Sequence, residues 1–166
     1  MATTRQFTQF AANAYFRTDV NRAPMPDGWT VLTEAGTRYS QADTPTGFSA
    51  TAYEGPGGEV VIAFAGTNES QFADYLFGNG PAASGKIVSP QILEALRFTA
   101  DVMAARPGAQ LSFTGHSLGG GLASVLAVFF DKPSTVFDPA PFALSALQPA
   151  MVASYLSFYS AYVGTK

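Results

Sequence analysis

Five residues in the last third of the chain, Gly-His-Ser-Leu-Gly from 115 to 119, have the types and spacing that nucleophilic chemistry requires. The β-rich run Gln110–Thr114 precedes them and the apolar run Leu118–Phe130 follows, so the serine falls on a predicted turn between a strand and a helix. On such a turn, called a nucleophile elbow, the serine hydroxyl projects above the carboxyl end of the sheet, and glycines two positions away leave room for neighbouring chain. The pattern therefore predicts Ser117 as a nucleophile. The alternative is a glycine-rich turn that binds an anion or packs a helix tightly.

A serine that attacks a carbonyl group needs hydrogen-bond donors for the negative charge that develops on the oxygen. The backbone N–H of Leu118, directly after the serine and at the start of a predicted helix, is one candidate. A second donor is expected after a more N-terminal strand, and Thr67 stands two residues beyond the apolar run Val60–Ala65. Thr67 offers both an N–H and a hydroxyl, although a simple turn over residues 66–68 fits the same spacing.

The segments around these residues predict an α/β fold, because strands alternate with helices after residue 59. Such alternation is typical of a mostly parallel sheet with helices on both faces. The pattern predicts helices over 5–18, 90–105 and 118–130 and after Pro149, an edge strand over 29–32, a hairpin of strands 48–53 and 59–65, and further strands over 110–114 and 134–137.

Composition narrows the function classes. The 166 residues are 47% apolar and 13% charged, which is the balance of one compact domain and not of a disordered chain. Nine basic against twelve acidic residues, without a basic run, leave nothing to neutralise nucleic-acid phosphates. With no cysteine and a single histidine, the sequence excludes thiolate and multi-histidine metal sites.

The two ends of the sequence are unusual in different ways. The first ten residues lack the apolar segment of a secretory signal peptide, so the localisation stays open, with signal-independent export as one route. From Pro139 to Thr165 there is no charged side chain. Prolines interrupt this stretch, so we expect no transmembrane span but a helix that its own domain or a partner covers.

Four segments resemble, in order and rough spacing, the class 3 lipase family: Val61–Thr67, the pair Asp74-Tyr75, Thr114–Gly120 and Val136–Pro141. These α/β-hydrolases are similar to fungal triacylglycerol lipases and related bacterial phospholipases, and the resemblance covers about residues 5–145. It implies an α/β-hydrolase core in which Ser117 is the nucleophile and Thr67 and Leu118 are the oxyanion-hole donors. It also implies a carboxylic ester of a lipid, triacylglycerol or phospholipid, as substrate, with no metal or organic cofactor.

The sequence departs from the pattern of this fold after the nucleophile. An acid and then a histidine normally follow it along the chain, but only Asp131 and Asp138 follow Ser117, and no histidine does. His116 is the immediate neighbour of Ser117, so its side chain diverges from that of the serine and is a poor candidate for the base. Without a base, a serine hydroxyl is a weak nucleophile near neutral pH.

Three interpretations remain. In the first, residues 1–166 are the N-terminal portion of a single lipase-like domain that lacks its C-terminal strands and catalytic histidine. The base and acid then come from another segment or a second polypeptide, and the isolated chain is inactive. In the second, the chain is a degenerate hydrolase fold that acts as a non-catalytic binding module. In the third, it is a small self-sufficient esterase with an unusual base.

Residues 68–88 are polar and rich in glycine and proline, and they read as a long excursion from the sheet. Phe72, Tyr75 and Phe77 within it have two interpretations. They form an apolar surface or lid that contacts an acyl chain, or they simply pack against the rest of the domain.

Overall fold

The computed structural model describes residues 1–15, 22–42, 44–66, 90–140 and 149–163. The helices are α1 (Thr4–Asn13), α2 (Pro90–Ala105), α3 (Leu118–Phe130) and α4 (Pro149–Val163). The strands are β1 (Thr30–Val31), β2 (Thr33–Glu34), β3 (Thr37–Arg38), β4 (Ser40–Gln41), β5 (Ala50–Glu54), β6 (Glu59–Phe64), β7 (Gln110–His116) and β8 (Ser134–Phe137).

Six of these strands form one sheet in the order β1-β5-β6-β7-β8, with β4 also paired to β5. Strands β6, β7 and β8 run parallel, as predicted for the chain after residue 59. Strands β1 and β4 run antiparallel to β5, which in turn runs antiparallel to β6. The sheet is therefore mixed. The tight Gly55–Gly58 turn joins β5 and β6 as an antiparallel hairpin, whereas the parallel pairs are connected by helical crossovers.

Helices cover both faces of this sheet, as predicted. Side chains of a strand alternate between faces, and along β6 Val60, Ile62 and Phe64 point to one side while Val61 and Ala63 point to the other. The first face packs against α2 and α3, and α4 joins this layer through Tyr155. The second face packs against α1.

Helix α1 begins at a capping box, in which the Thr3 side chain accepts from the Gln6 N–H and the Gln6 side chain accepts from the Thr3 N–H. The helix ends at Asn13, short of the predicted 5–18, and residues 16–21 lie outside the described part. Its Phe10 is fully buried, with ring centroids 4.8 Å from Trp29 and 4.5 Å from Tyr53. Burial in this aromatic cluster raises the pKa of the Tyr53 hydroxyl to about 12.

The remaining sequence predictions are confirmed with small shifts at element ends. Helices α2 and α3 and strand β8 have the predicted limits, and β7 continues two residues further, to His116. The predicted edge strand over 29–32 is the two-residue β1, and the hairpin is β5 and β6. The excursion over 68–88 lies outside the described residues.

Arg106, at the end of α2, joins three elements at the amino end of the parallel strands. Its Nε and one terminal nitrogen donate to the two carboxylate oxygens of Glu54, at 2.7 and 3.0 Å. The other donors reach the Glu34 carboxylate and the carbonyl oxygens of Thr33 and Ala105. All five guanidinium N–H groups therefore have acceptors, and these hydrogen bonds hold the pKa of Glu54 below its ordinary value.

Replacing Arg106 by Ala is expected to lower the free energy of unfolding by about 1–3 kcal/mol, because several hydrogen bonds to charged groups are lost together. Arg106→Lys recovers only part of this loss, since an ammonium group cannot bind Glu54 with two parallel bonds. Urea unfolding measures both changes. The matched control is Arg97→Ala, on the exposed side of the same helix, with an expected change within about 0.5 kcal/mol. Equal losses at both positions would contradict this role.

The same contact predicts a pH dependence. Because the pKa of Glu54 is lower in the folded chain than its ordinary 4.5, its contribution is complete above that value and is lost as the pH falls through the lowered pKa. We therefore expect the stability difference between the wild type and Arg106→Ala to shrink from about pH 6 to about pH 3. Urea unfolding across this range measures it, and a pH-independent difference would contradict the prediction.

Candidate active site

Ser117 joins β7 to α3 in an unfavourable backbone conformation, with φ 55° and ψ −125°. Non-glycine residues rarely adopt positive φ, and these angles also lie outside the left-handed helical region. The serine is half-buried, and its side chain makes no capping hydrogen bond to α3. The predicted strand–turn–helix is therefore present, and the strain falls on the residue that the motif singles out.

Hydrogen bonds from two directions hold this strained backbone. The N–H of Ser117 donates to the carbonyl oxygen of Phe137, the last residue of β8, at 3.1 Å. The carbonyl oxygen of Ser117 accepts from the N–H groups of Gly121, at 3.1 Å, and Ala140, at 2.9 Å. Both polar backbone groups of the serine are thus bound by α3 and by the chain in and after β8.

The two glycines of the motif are required by close approach of backbone segments. A Cβ atom on Gly115 would overlap the backbone carbonyl of Gly119 and lie 2.8 Å from the nitrogen of Gly120. A Cβ atom on Gly119 would overlap the Phe64 carbonyl oxygen and lie 2.7 Å from the carbonyl carbon of Ala65. The turn can be this tight only without these side chains, because the start of α3 packs directly on the ends of β6 and β7.

The proposed oxyanion-hole residues are described only in part. Leu118 is the first residue of α3 and is half-buried, and N–H groups in the first turn of a helix have no partner within that helix. Gly66 lies beside the serine, since a Cβ atom built on it would be 3.3 Å from the Ser117 Cβ. Thr67 follows Gly66 but lies outside the described residues, as do Phe72, Tyr75 and Phe77. The roles of Ser117, Leu118 and Thr67 stay predictions.

The single histidine points toward helix α1. Its Nδ1 lies 2.9 Å from the hydroxyl oxygen of Tyr15, two residues beyond the end of that helix. The same hydroxyl lies 3.4 Å from the carbonyl oxygen of His116. The sequence predicts Tyr15 only as one residue of the helix over 5–18. No sequence signal pairs the two residues, because they are 101 positions apart.

The two acids that follow Ser117 along the chain lie far from each other, one at the end of α3 and one after β8. Asp131 ends that helix in a left-handed conformation, so the 13-residue helix, about 20 Å long, separates it from Ser117. Asp138 directly follows β8, is exposed, and has a φ of 43°. It precedes by two residues the N–H of Ala140 that binds Ser117. Of the two, only Asp138 lies at the same end of the parallel strands as Ser117.

Comparison with known proteins agrees with this geometry. The family model of the Tle-like phospholipase domain, described as phospholipase-like, matches residues 6–154, so the chain belongs to this family. No curated protein matches the chain. Among the described residues, no helix is long and apolar enough to cross a membrane.

Two solved structures of the Rhizomucor miehei lipase–propeptide complex share the fold at 16% sequence identity. The native complex gives a TM-score of 0.52 and the match covers 93% of this chain and 56% of that one. A deletion mutant gives 0.53, with 93% and 55%. The α/β-hydrolase fold and the resemblance to fungal lipases are thereby confirmed, and the chain spans just over half the length of these lipase chains.

The backbone strain at Ser117 is measurable. Glycine adopts positive φ readily, so Ser117→Gly is expected to be about 1 kcal/mol more stable than Ser117→Ala. Urea unfolding compares the two variants. The control is the exposed strand residue Ser134, where glycine is expected to be less stable than alanine, because it loses more conformational freedom there. The same order of stability at both positions would contradict strain at the turn.

Proposed function

We propose that this chain provides the nucleophile and oxyanion hole of a serine hydrolase that cleaves carboxylic esters of lipids. The observation that carries the proposal is the strained conformation of Ser117 between β7 and α3. Strain of this kind persists only where the surrounding structure imposes it, and it occurs most often at functional sites. The hydroxyl is left available by the turn, since it does not cap the helix that follows it.

In the proposed reaction, the Ser117 Oγ attacks the ester carbonyl carbon and its proton passes to a base. The negative charge that develops on the carbonyl oxygen is stabilised by the N–H groups of Leu118 and Thr67, at about 3 kcal/mol for each donor. The carbon–oxygen bond then breaks, and the alcohol leaves with the proton from the base. Water attacks the acyl-enzyme, which releases the fatty acid and restores the serine.

Support for Thr67 comes from the position of Gly66. The chain leaving β6 passes close enough to Ser117 that even a methyl group on Gly66 would contact it. Gly66 therefore lies beside Ser117, and Thr67 is the next residue in the sequence. Leu118 is the first residue of the helix that follows the serine.

We further propose that the base and acid come from residues outside this sequence, in a further segment of the same domain or in a second polypeptide. His116 does not fill this place, because it is the immediate neighbour of Ser117 and its side chain is directed toward Tyr15 instead of the serine hydroxyl. Asp131 is excluded by distance, at the far end of α3. Residues 1–166 are then the N-terminal portion of one lipase-like domain, and the isolated chain is inactive on its esters.

The substrate class follows from the family and not from measured contacts. Membership in a phospholipase-like family favours a phospholipid ester over other esters. No metal or organic cofactor is required by this reaction, because the covalent intermediate forms on the serine itself.

The proposal predicts that Ser117 reacts covalently with a fluorophosphonate when a base is supplied in solution. We expect intact-mass spectrometry to show little adduct on the chain alone and a single adduct that forms faster as imidazole is added, since imidazole can accept the serine proton. Ser117→Ala should form no adduct. Ser134→Ala, which removes an exposed serine from β8, should react like the wild type.

Other outcomes have distinct meanings. An adduct that persists in Ser117→Ala would contradict the assignment of the nucleophile. A folded chain that never reacts, with or without imidazole, would favour a degenerate hydrolase fold that binds lipids without cleaving them. Rapid reaction without imidazole would show that the chain contains its own base, as in the third interpretation of the sequence.

A further inference from the structure

The Tyr15 hydroxyl occupies a point where three segments of the site meet. It is 2.9 Å from the Nδ1 of His116 and 3.4 Å from the carbonyl oxygen of the same residue. A Cβ atom built on Gly66 would lie only 2.6 Å from it. The Tyr15 hydroxyl therefore lies beside both His116 and Gly66.

Tyr15 is held in a fixed position relative to the sheet, because the helix before it is anchored in the core. Phe7, Phe10 and Ala14 are buried against β6 and the neighbouring aromatic cluster. The Phe7 carbonyl oxygen also lies 3.4 Å from the Oγ of Thr114 on β7. Helix α1 thus lies across the two strands whose ends carry Gly66 and Ser117.

The separation of those two strand ends sets the geometry of the proposed oxyanion hole. Leu118 opens the helix at the elbow, and Gly66, the last described residue after β6, lies beside the serine. Misplacement of a catalytic group by about 1 Å can reduce a rate on the order of 100-fold. A contact that fixes this separation therefore affects the rate without touching the substrate.

We propose that Tyr15 is a positioning residue that, through its hydrogen bond with His116, holds the elbow at the correct distance from the segment after β6. The role rests on the proposed function of Ser117. It also assigns a purpose to His116, whose Nδ1 is directed at the Tyr15 hydroxyl. The Tyr15–His116 pair affects the stability of the transition state and not that of the bound substrate, because only the oxyanion needs both proposed donors at once.

Tyr15→Phe tests the role, because it removes the hydroxyl and keeps the ring. In fluorophosphonate labelling with added imidazole, we expect the maximal rate at Ser117 to fall about 10-fold to 100-fold, with the half-saturating probe concentration unchanged. The control is Tyr39→Phe, a partly buried tyrosine that packs on the other face of the sheet, and its rate should match the wild type.

A double-mutant cycle shows whether the two residues act through each other. His116→Ala should slow labelling as much as Tyr15→Phe, and the double variant should be no slower than either single one. His116→Gln, whose amide can still bond the tyrosine hydroxyl, should recover part of the rate. Fully additive losses would overturn the role of the hydrogen bond.

Because His116 is the only histidine, its ring nitrogens give one assignable set of ¹⁵N signals. Tyr15→Phe should shift them and Tyr39→Phe should not; unchanged signals would overturn the contact itself. Equal labelling of the wild type and Tyr15→Phe would overturn the positioning role and leave the proposed function intact. Failure of the wild type to label would overturn the proposed function, and the positioning role with it.

Discussion

The site depends on one backbone constraint, the strained conformation of Ser117 between β7 and α3. An isolated peptide would relax from φ 55° and ψ −125°, because a Cβ atom disfavours positive φ. Here the surroundings prevent relaxation. The strand β8 and the residues after it bind both polar backbone groups of the serine, and the two motif glycines allow the neighbouring segments to close around the turn.

This constraint depends on the order of the three parallel strands. The end of β7 carries the serine, and it lies between the end of β6, which leads to Gly66, and the end of β8, which provides the Phe137 carbonyl. Parallel pairing brings these ends to one edge of the sheet. At the opposite edge, Arg106 joins α2 to the antiparallel strand β5 through Glu54 and to the separate β2–β3 pair through Glu34. The edge that carries Ser117 contains the strained residue, and the other edge is held by ionic hydrogen bonds.

The chain combines a well-formed strand–turn–helix at Ser117 with a sequence in which no histidine follows that serine. The turn that carries a serine and the base that accepts its proton have different structural requirements in a hydrolase. The turn at Ser117 depends on local backbone packing, which the described residues provide. A base has only to reach the serine hydroxyl, so it can come from a distant segment or another chain.

The sequence alone determined the four helices, the strands β1 and β5 to β8, the position of Ser117 on a strand–helix turn and the absence of a later histidine in these 166 residues, because periodicity and motif spacing are local properties. The short strands β2, β3 and β4 were not predicted. Only the tertiary structure decided the mixed pairing of the sheet and the opposite placement of Asp131 and Asp138. The contact of Tyr15 with His116 likewise depends on packing between residues 101 positions apart, and no local pattern encodes such a distance.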